Sequence, residues 1–243
     1  MRRLSLLSRG RTTAGFTLVE LLTVIAILAV LFAVLLGALA RARRSANSVS
    51  CASNLRQWGM ATEMYANVNF GVLPRRGQGV GPTFQIARPA DWFNALPPTV
   101  NLKAYMDMVS AGQIPRPPGS SIWLCPEASD FTGQYYWSYG MNMALSVWEA
   151  NQNHGQPDKI TGVGNTAAMV LFADAPGNYC SVFPSKYPGG YNPVARHNNC
   201  VNICFLDGHV EAIAGSYIGV GTGLIEHPDV HWHPPGSTWN SAQ

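Results

Sequence analysis

A chain of 243 residues with a formal net charge of +3 has room for one folded domain and an anchor, not for two full domains. Charged residues make up only 12%, about half the usual share. The arginines gather at Arg2, Arg3, Arg9 and Arg11 and again at Arg41, Arg43 and Arg44, with no basic stripe later in the chain, which excludes nucleic acid as an expected partner.

Taken in chain order, residues 1–15 form a short basic leader that contains no acid and ends in Gly15. Residues 16–40 are apolar or weakly polar apart from one charge, Glu20. As a helix this run is roughly 37 Å long, enough to cross a hydrocarbon core of about 30 Å. A secretory signal peptide has a shorter apolar core with its cleavage site after it. Here the small residue precedes the run, so a cut after Gly15 leaves the span on the mature protein. A carboxylate inside lipid costs several kcal/mol unless it is paired or protonated. Cleavage after Gly15 would create an α-amine on Phe16, four residues before Glu20, and so supply a neutralising partner.

The hexapeptide Gly15-Phe16-Thr17-Leu18-Val19-Glu20 resembles the signature of type IV prepilins and type II secretion pseudopilins. The resemblance implies cleavage between Gly15 and Phe16 by a prepilin peptidase, N-methylation of Phe16, and a role for Glu20 in bringing subunits into register. It also implies a structural subunit of a type IV pilus or type II pseudopilus. Such a chain sits in the inner membrane as a single-pass protein with its C-terminal domain in the periplasm, and its partners are other pilin subunits and membrane lipid.

Residues 41–69 continue as an amphipathic stalk helix, with Leu55, Trp58, Thr62 and Tyr65 at three- and four-residue spacing. Gly71 and Pro74 lie beyond its end. Residues 70–243 form the soluble domain, expected as α+β: the stalk helix packed on a small antiparallel sheet, with many loops. The 24 Gly and 17 Pro of the chain support the loops. Short helices are predicted over 90–96 and 102–111. Strands are predicted over 121–125, 135–139 and 167–173.

The strongest strand signal is 200–206, where Val201, Ile203 and Phe205 alternate with Asn202 and Cys204. Asp207-Gly208 follows and predicts a type I′ hairpin turn into 209–213. His197, nine intervening residues and Asp207-Gly208, with Arg196 before and His209-Val210 after, resemble a C-terminal motif of prepilin-type proteins, here covering 197–213.

Three sets of residues raise the question of chemistry. His197 and Asp207 are too far apart along an extended strand to form a simple pair, and the plain reading is a turn aspartate and a structural histidine. Type II pseudopilins carry a calcium site in a C-terminal loop, and Asp174 and Asp207 are the carboxylates available for one here, without the acid run of an EF-hand. His231 and His233 are spaced to share a face of an extended segment, as a transition-metal pair or as part of a solvated tail.

Five cysteines include no Cys-x-x-Cys pair. Cys200 and Cys204 are too far apart on one strand to bond, and Cys51 with Cys125 is the candidate disulfide that would tie the stalk to the domain. No catalytic triad order, P-loop or dinucleotide fingerprint is present, so the expected reading is not an enzyme and needs no cofactor. Two other classes remain open: a non-polymerising anchored binding protein using the aromatic residues Trp123, Tyr135, Tyr136, Trp137 and Trp148, and a metal-dependent enzyme using the C-terminal histidines.

Overall fold

The computed structural model describes residues 17–77, 86–131, 133, 135–145, 159–177, 179–186 and 191–235. The chain divides into two units, Met1–Arg43 and Arg44–Gln243.

A single helix, α1 (Leu18–Val68), contributes to both units. Its 51 residues contain no proline, and it is long and apolar enough to cross a membrane. In the first unit the large apolar side chains from Leu18 to Leu39 are exposed. In the second unit the same helix is amphipathic, burying Cys51, Leu55, Trp58, Gly59, Thr62 and Ala66. The helix stops where Phe70 and Gly71 take φ of 56° and 80°. The Gly71 N–H donates to the Ala66 carbonyl at 2.8 Å, satisfying a carbonyl that the helix leaves free.

The second unit is α+β, with α1 packed against a five-stranded sheet. Two short helices follow α1: α2 (Trp92–Ala95) and α3 (Tyr105–Ser110). Between them Pro97–Val100 makes one 3₁₀ turn, started by Pro97-Pro98 with preset φ and ended by Asn101 at φ 62°. The strands are β1 (Tyr139–Asn142), β2 (Val170–Asp174), β3 (Ser181–Val182), β4 (Cys200–Phe205) and β5 (Val210–Ala214). Their order is β3-β1-β2-β4-β5. The β1–β2, β2–β4 and β4–β5 pairs are antiparallel. β3 departs from the expected antiparallel sheet, because it joins the β1 edge in parallel.

Two apolar clusters lie on the two faces of the sheet. Cys204 and Leu206 join Leu55, Trp58, Trp92 and Phe172 in the cluster beneath α1. Val201, Ile203 and Phe205 join Ile218, Val230 and Trp232 in the other. The alternation read from 200–206 is therefore real, but both faces are covered and β4 is buried almost throughout. In β2 both Leu171 and Phe172 serve the α1 side. A register shift between Val170 and Phe172 breaks the period of two and permits this. The centre of the α1 cluster is aromatic: the Trp58 ring lies 5.3 Å from Trp92 and 4.6 Å from Trp123. The Trp58 and Trp92 indole N–H groups donate to the Ile122 and Cys180 carbonyls, so these polar edges are buried without losing a hydrogen bond.

Several local readings differ from the structure. The expected strand over 121–125 is a tight turn held by a Ser121–Leu124 bridge, with Pro126 beyond it. The aromatic run 135–139 enters a strand only at Tyr139. Among the turns, Asp207 does not adopt positive φ; Gly208 alone does, at 85°. The Phe205 N–H donates to the His209 carbonyl and the Gly208 N–H to the Phe205 carbonyl, which is the three-residue hairpin loop with a glycine bulge. Asp207 stays out of the left-handed region because its carboxylate accepts the His209 N–H at 3.1 Å.

The two-residue turn with positive φ at both positions lies instead at Asn198 (54°) and Asn199 (63°). It pairs His197 with Cys200 through reciprocal backbone hydrogen bonds of 3.2 and 3.0 Å.

Candidate functional site

At the start of α1, Thr17 and Glu20 form a reciprocal cap. The Thr17 N–H and hydroxyl both donate to Glu20 Oε2 at 2.8 Å, and the Glu20 N–H donates to Thr17 Oγ1 at 3.2 Å. The spacing Thr-x-x-Glu allows this because the first turn of a helix leaves its N–H groups without partners. Glu20 is exposed and followed by an apolar surface. Gly15 and Phe16 lie outside the described residues.

The second candidate region is the 197–213 motif. The Asn198-Asn199 turn, the six residues of β4 and Leu206 together make the nine residues between His197 and Asp207. The two ends of the motif therefore stand at opposite ends of β4, about 20 Å apart. At the far end, the Asp207 carboxylate approaches His209 Nδ1 at 2.6 Å and both side chains are substantially exposed. Gly208 packs toward α1, where a Cβ built on Gly59 would lie 3.4 Å from the Gly208 Cα.

His197, at the near end, is buried. Its Nδ1 is 2.9 Å from Glu127 Oε2, and its Nε2 is 3.4 Å from Cys125 Sγ and 3.7 Å from Asp174 Oδ2. The Glu127 oxygen is close to Nδ1 without an aligned hydrogen bond. Cys125 is joined to Cys51 by a disulfide, with Cα atoms 5.3 Å apart. Asp174 ends β2 and is fully buried, and its Oδ2 accepts the Asn202 N–H at 2.8 Å. Next to His197, Arg196 Nη2 donates to both carboxylate oxygens of Asp130 and to the Ala175 carbonyl.

The pocket is buried, and that decides its charge. Burial pushes the Asp174 carboxyl up to about 7, against the opposing Arg196 charge and the Asn202 N–H. Burial also holds His197 below its usual value, although Glu127 favours the imidazolium. Desolvation thus outweighs attraction for both groups.

The sequence places Asp174 and Asp207 together as oxygen ligands, but they lie toward opposite ends of the β2–β4 pair. His231 forms a bridge with Met169 and its Nε2 approaches the Pro228 carbonyl at 3.1 Å. His233 packs its ring 5.0 Å from Phe183. Among the described residues, the ligand-type atoms that converge are those of Cys51, Cys125, Asp174 and His197, all within 4.8 Å of one another. Glu127, Asp130 and Asn202 escape the sequence reading, because only folding brings them to His197, Arg196 and Asp174. The aromatic residues offered as a binding surface are largely internal. Trp123 and Trp137 are buried, Tyr135 and Tyr136 pack partly buried against the same cluster, and Trp148 lies outside the described residues.

A family model described as the prokaryotic N-terminal methylation motif matches residues 10–36, which hold Gly15, Phe16, Thr17 and Glu20. No curated protein and no solved structure matches the chain. The motif and the apolar helix together fit a membrane-anchored protein, and the chain, carrying the prokaryotic N-terminal methylation motif ahead of a long apolar helix, is consistent with a type IV prepilin or pseudopilin-like protein.

Proposed function

We propose that this chain is a structural subunit of a type II secretion pseudopilus or type IV pilus-like filament, matured by a prepilin peptidase that cuts between Gly15 and Phe16. The observation that carries the reading is the apolar surface from Leu18 to Leu39, exposed along its whole length and interrupted by one acid, Glu20, near its start. Such a surface is stable only in lipid or against copies of itself. Before assembly it holds the chain in the inner membrane, with residues 44–243 in the periplasm. In a filament the same surfaces pack on one another, and Glu20 meets the methylated Phe16 amine of a neighbour.

Burial of apolar side chains, at about 25 cal/mol per Å², then supplies the cohesion against water. The acid fixes axial register, because a mis-stacked neighbour leaves Glu20 charged and unpaired in an apolar core. Nothing in this scheme requires the chain to act as a catalyst.

Mass spectrometry of the native protein tests the reading. The expected mature chain begins at Phe16 with one added methyl group and appears in the sheared surface or pseudopilus fraction. A chain that keeps residues 1–15, or that stays monomeric in the membrane when its secretion machinery is complete, would overturn it.

A further inference from the structure

We propose that Cys51, Cys125, His197 and Asp174 form a zinc site when the two cysteines are thiols, so that one pair of sulfurs serves alternately as a disulfide and as half of a metal centre. Two sulfurs, an imidazole and a carboxylate are the donor set that suits zinc and that calcium or magnesium would not choose. All four side chains are buried, as in a closed structural site.

Zinc-to-ligand distances of about 2.0–2.3 Å in a tetrahedron place neighbouring donor atoms roughly 3.3–3.8 Å apart. His197 Nε2 already stands 3.4 Å from Cys125 Sγ and 3.7 Å from Asp174 Oδ2. Opening the disulfide by side-chain rotation, with small adjustments that draw donor atoms now within 4.8 Å of one another to tetrahedral spacing, would complete the site.

Two further observations point to a ligand. Asp174 Oδ1 is fully buried and has no hydrogen-bond partner among the described residues, a costly state for a carboxylate. His197 presents Nε2 toward Cys125 Sγ, and Glu127 Oε2 stands 2.9 Å from Nδ1, where a small turn of the ring would bring its N–H onto the carboxylate that commonly orients a metal-bound imidazole.

The chemistry closes. A small dithiol reductant passes two electrons and two protons to the disulfide, leaves as its own disulfide, and frees both thiols. Zinc then binds as both thiol protons depart to solvent. Either state ties α1 to the loop after Ser121, and the metal state adds β2 and the 197 turn. A small disulfide oxidant reverses the exchange: it takes up the two electrons and, with two protons from solvent, leaves as a dithiol, while the rejoined sulfurs release the ion.

The test uses the full chain in detergent micelles, loaded with zinc alone or with cobalt as a spectroscopic stand-in. After reduction with a dithiol and desalting, the expected result is about one zinc per chain and thiolate-to-cobalt charge-transfer absorption. The oxidised wild-type chain should hold at least tenfold less. The Cys51→Ser/Cys125→Ser variant should lose uptake, whereas Cys180→Ser/Cys200→Ser/Cys204→Ser and His231→Ala/His233→Ala should retain it. The reduced and oxidised wild-type arms stand without any substitution, so a misfolded variant does not remove the test. A reduced chain that holds no zinc, folded or not, overturns the proposal. So does equal zinc in both redox states, or cobalt spectra without thiolate bands. None of these outcomes bears on filament assembly.

Discussion

Gly59 of α1 faces Cys204 of β4 so closely that a Cβ at residue 59 would come within 2.8 Å of the cysteine sulfur. The helix approaches the sheet at this point because neither side has bulk to hold it away, and Gly208 of the hairpin tip lies beside the same spot. Glycine costs about 1 kcal/mol of helix propensity here, which packing repays. Gly59→Ala should therefore destabilise the soluble unit by about 1–3 kcal/mol, despite alanine's better helix propensity. Chemical denaturation of the oxidised chain measures it, and a rise in stability would show that the contact is loose.

Thr17 and Glu20 share the cap of α1, and this separates two roles of the acid. Glu20→Gln keeps a side chain that can accept the Thr17 N–H, so helix initiation should survive while the charge is lost. Thr17→Ala removes the hydroxyl, at a cost of about 1 kcal/mol at the helix end, and keeps the charge. Filament yield in the sheared fraction should fall at least tenfold for Glu20→Gln and less than twofold for Thr17→Ala. The reverse ranking would mean that capping, not charge, is what assembly needs.

Cys51 and Cys125 are 74 residues apart in sequence, so their disulfide closes a long loop. Chain-entropy reasoning gives about 4.5 kcal/mol for a loop of that size, and disulfides commonly deliver about 2–4. Cys125→Ser, compared with the oxidised wild type in the absence of zinc, should lower stability by about 2–4 kcal/mol. A loss under 0.5 kcal/mol would indicate that the unfolded chain is already constrained.

The other three cysteines differ in reactivity. Burial pushes the Cys180 and Cys204 thiols up to about 12, so the nucleophilic thiolate is scarce at neutral pH as well as hidden. Cys200, at the start of β4, is only half-buried. A maleimide added to the native oxidised chain should label Cys200 first, with Cys180 and Cys204 reacting only on unfolding. Peptide mapping that finds Cys204 labelled in the folded chain would show that the face between α1 and β4 opens.

Linear spacing was enough for the features set by local rules. A run such as 16–40 is apolar whatever surrounds it, and an acid at Glu20 four residues after Phe16 is visible as an anomaly without coordinates. The alternation of 200–206 marks a strand because side chains on extended backbone must alternate. Turn type was legible only in part. Asp207-Gly208 and Asn198-Asn199 are both good turn sequences, and which one takes positive φ at both positions depends on whether an aspartate side chain caps the backbone instead.

The four-residue convergence at His197 belongs to tertiary structure alone. Its members come from α1, the loop after Ser121, the end of β2 and the turn before β4, and no spacing rule joins positions 51, 125, 174 and 197. The same holds for the two faces of β4: sequence says that they alternate, but only packing shows α1 on one side and the Trp232 segment on the other. Local periodicity fixed the type of the clearest segments, such as 16–40 and 200–206, but not that of 121–125, which folds as a turn. Long-range contact decides what a segment touches, because burial is a property of pairs of segments and not of either one.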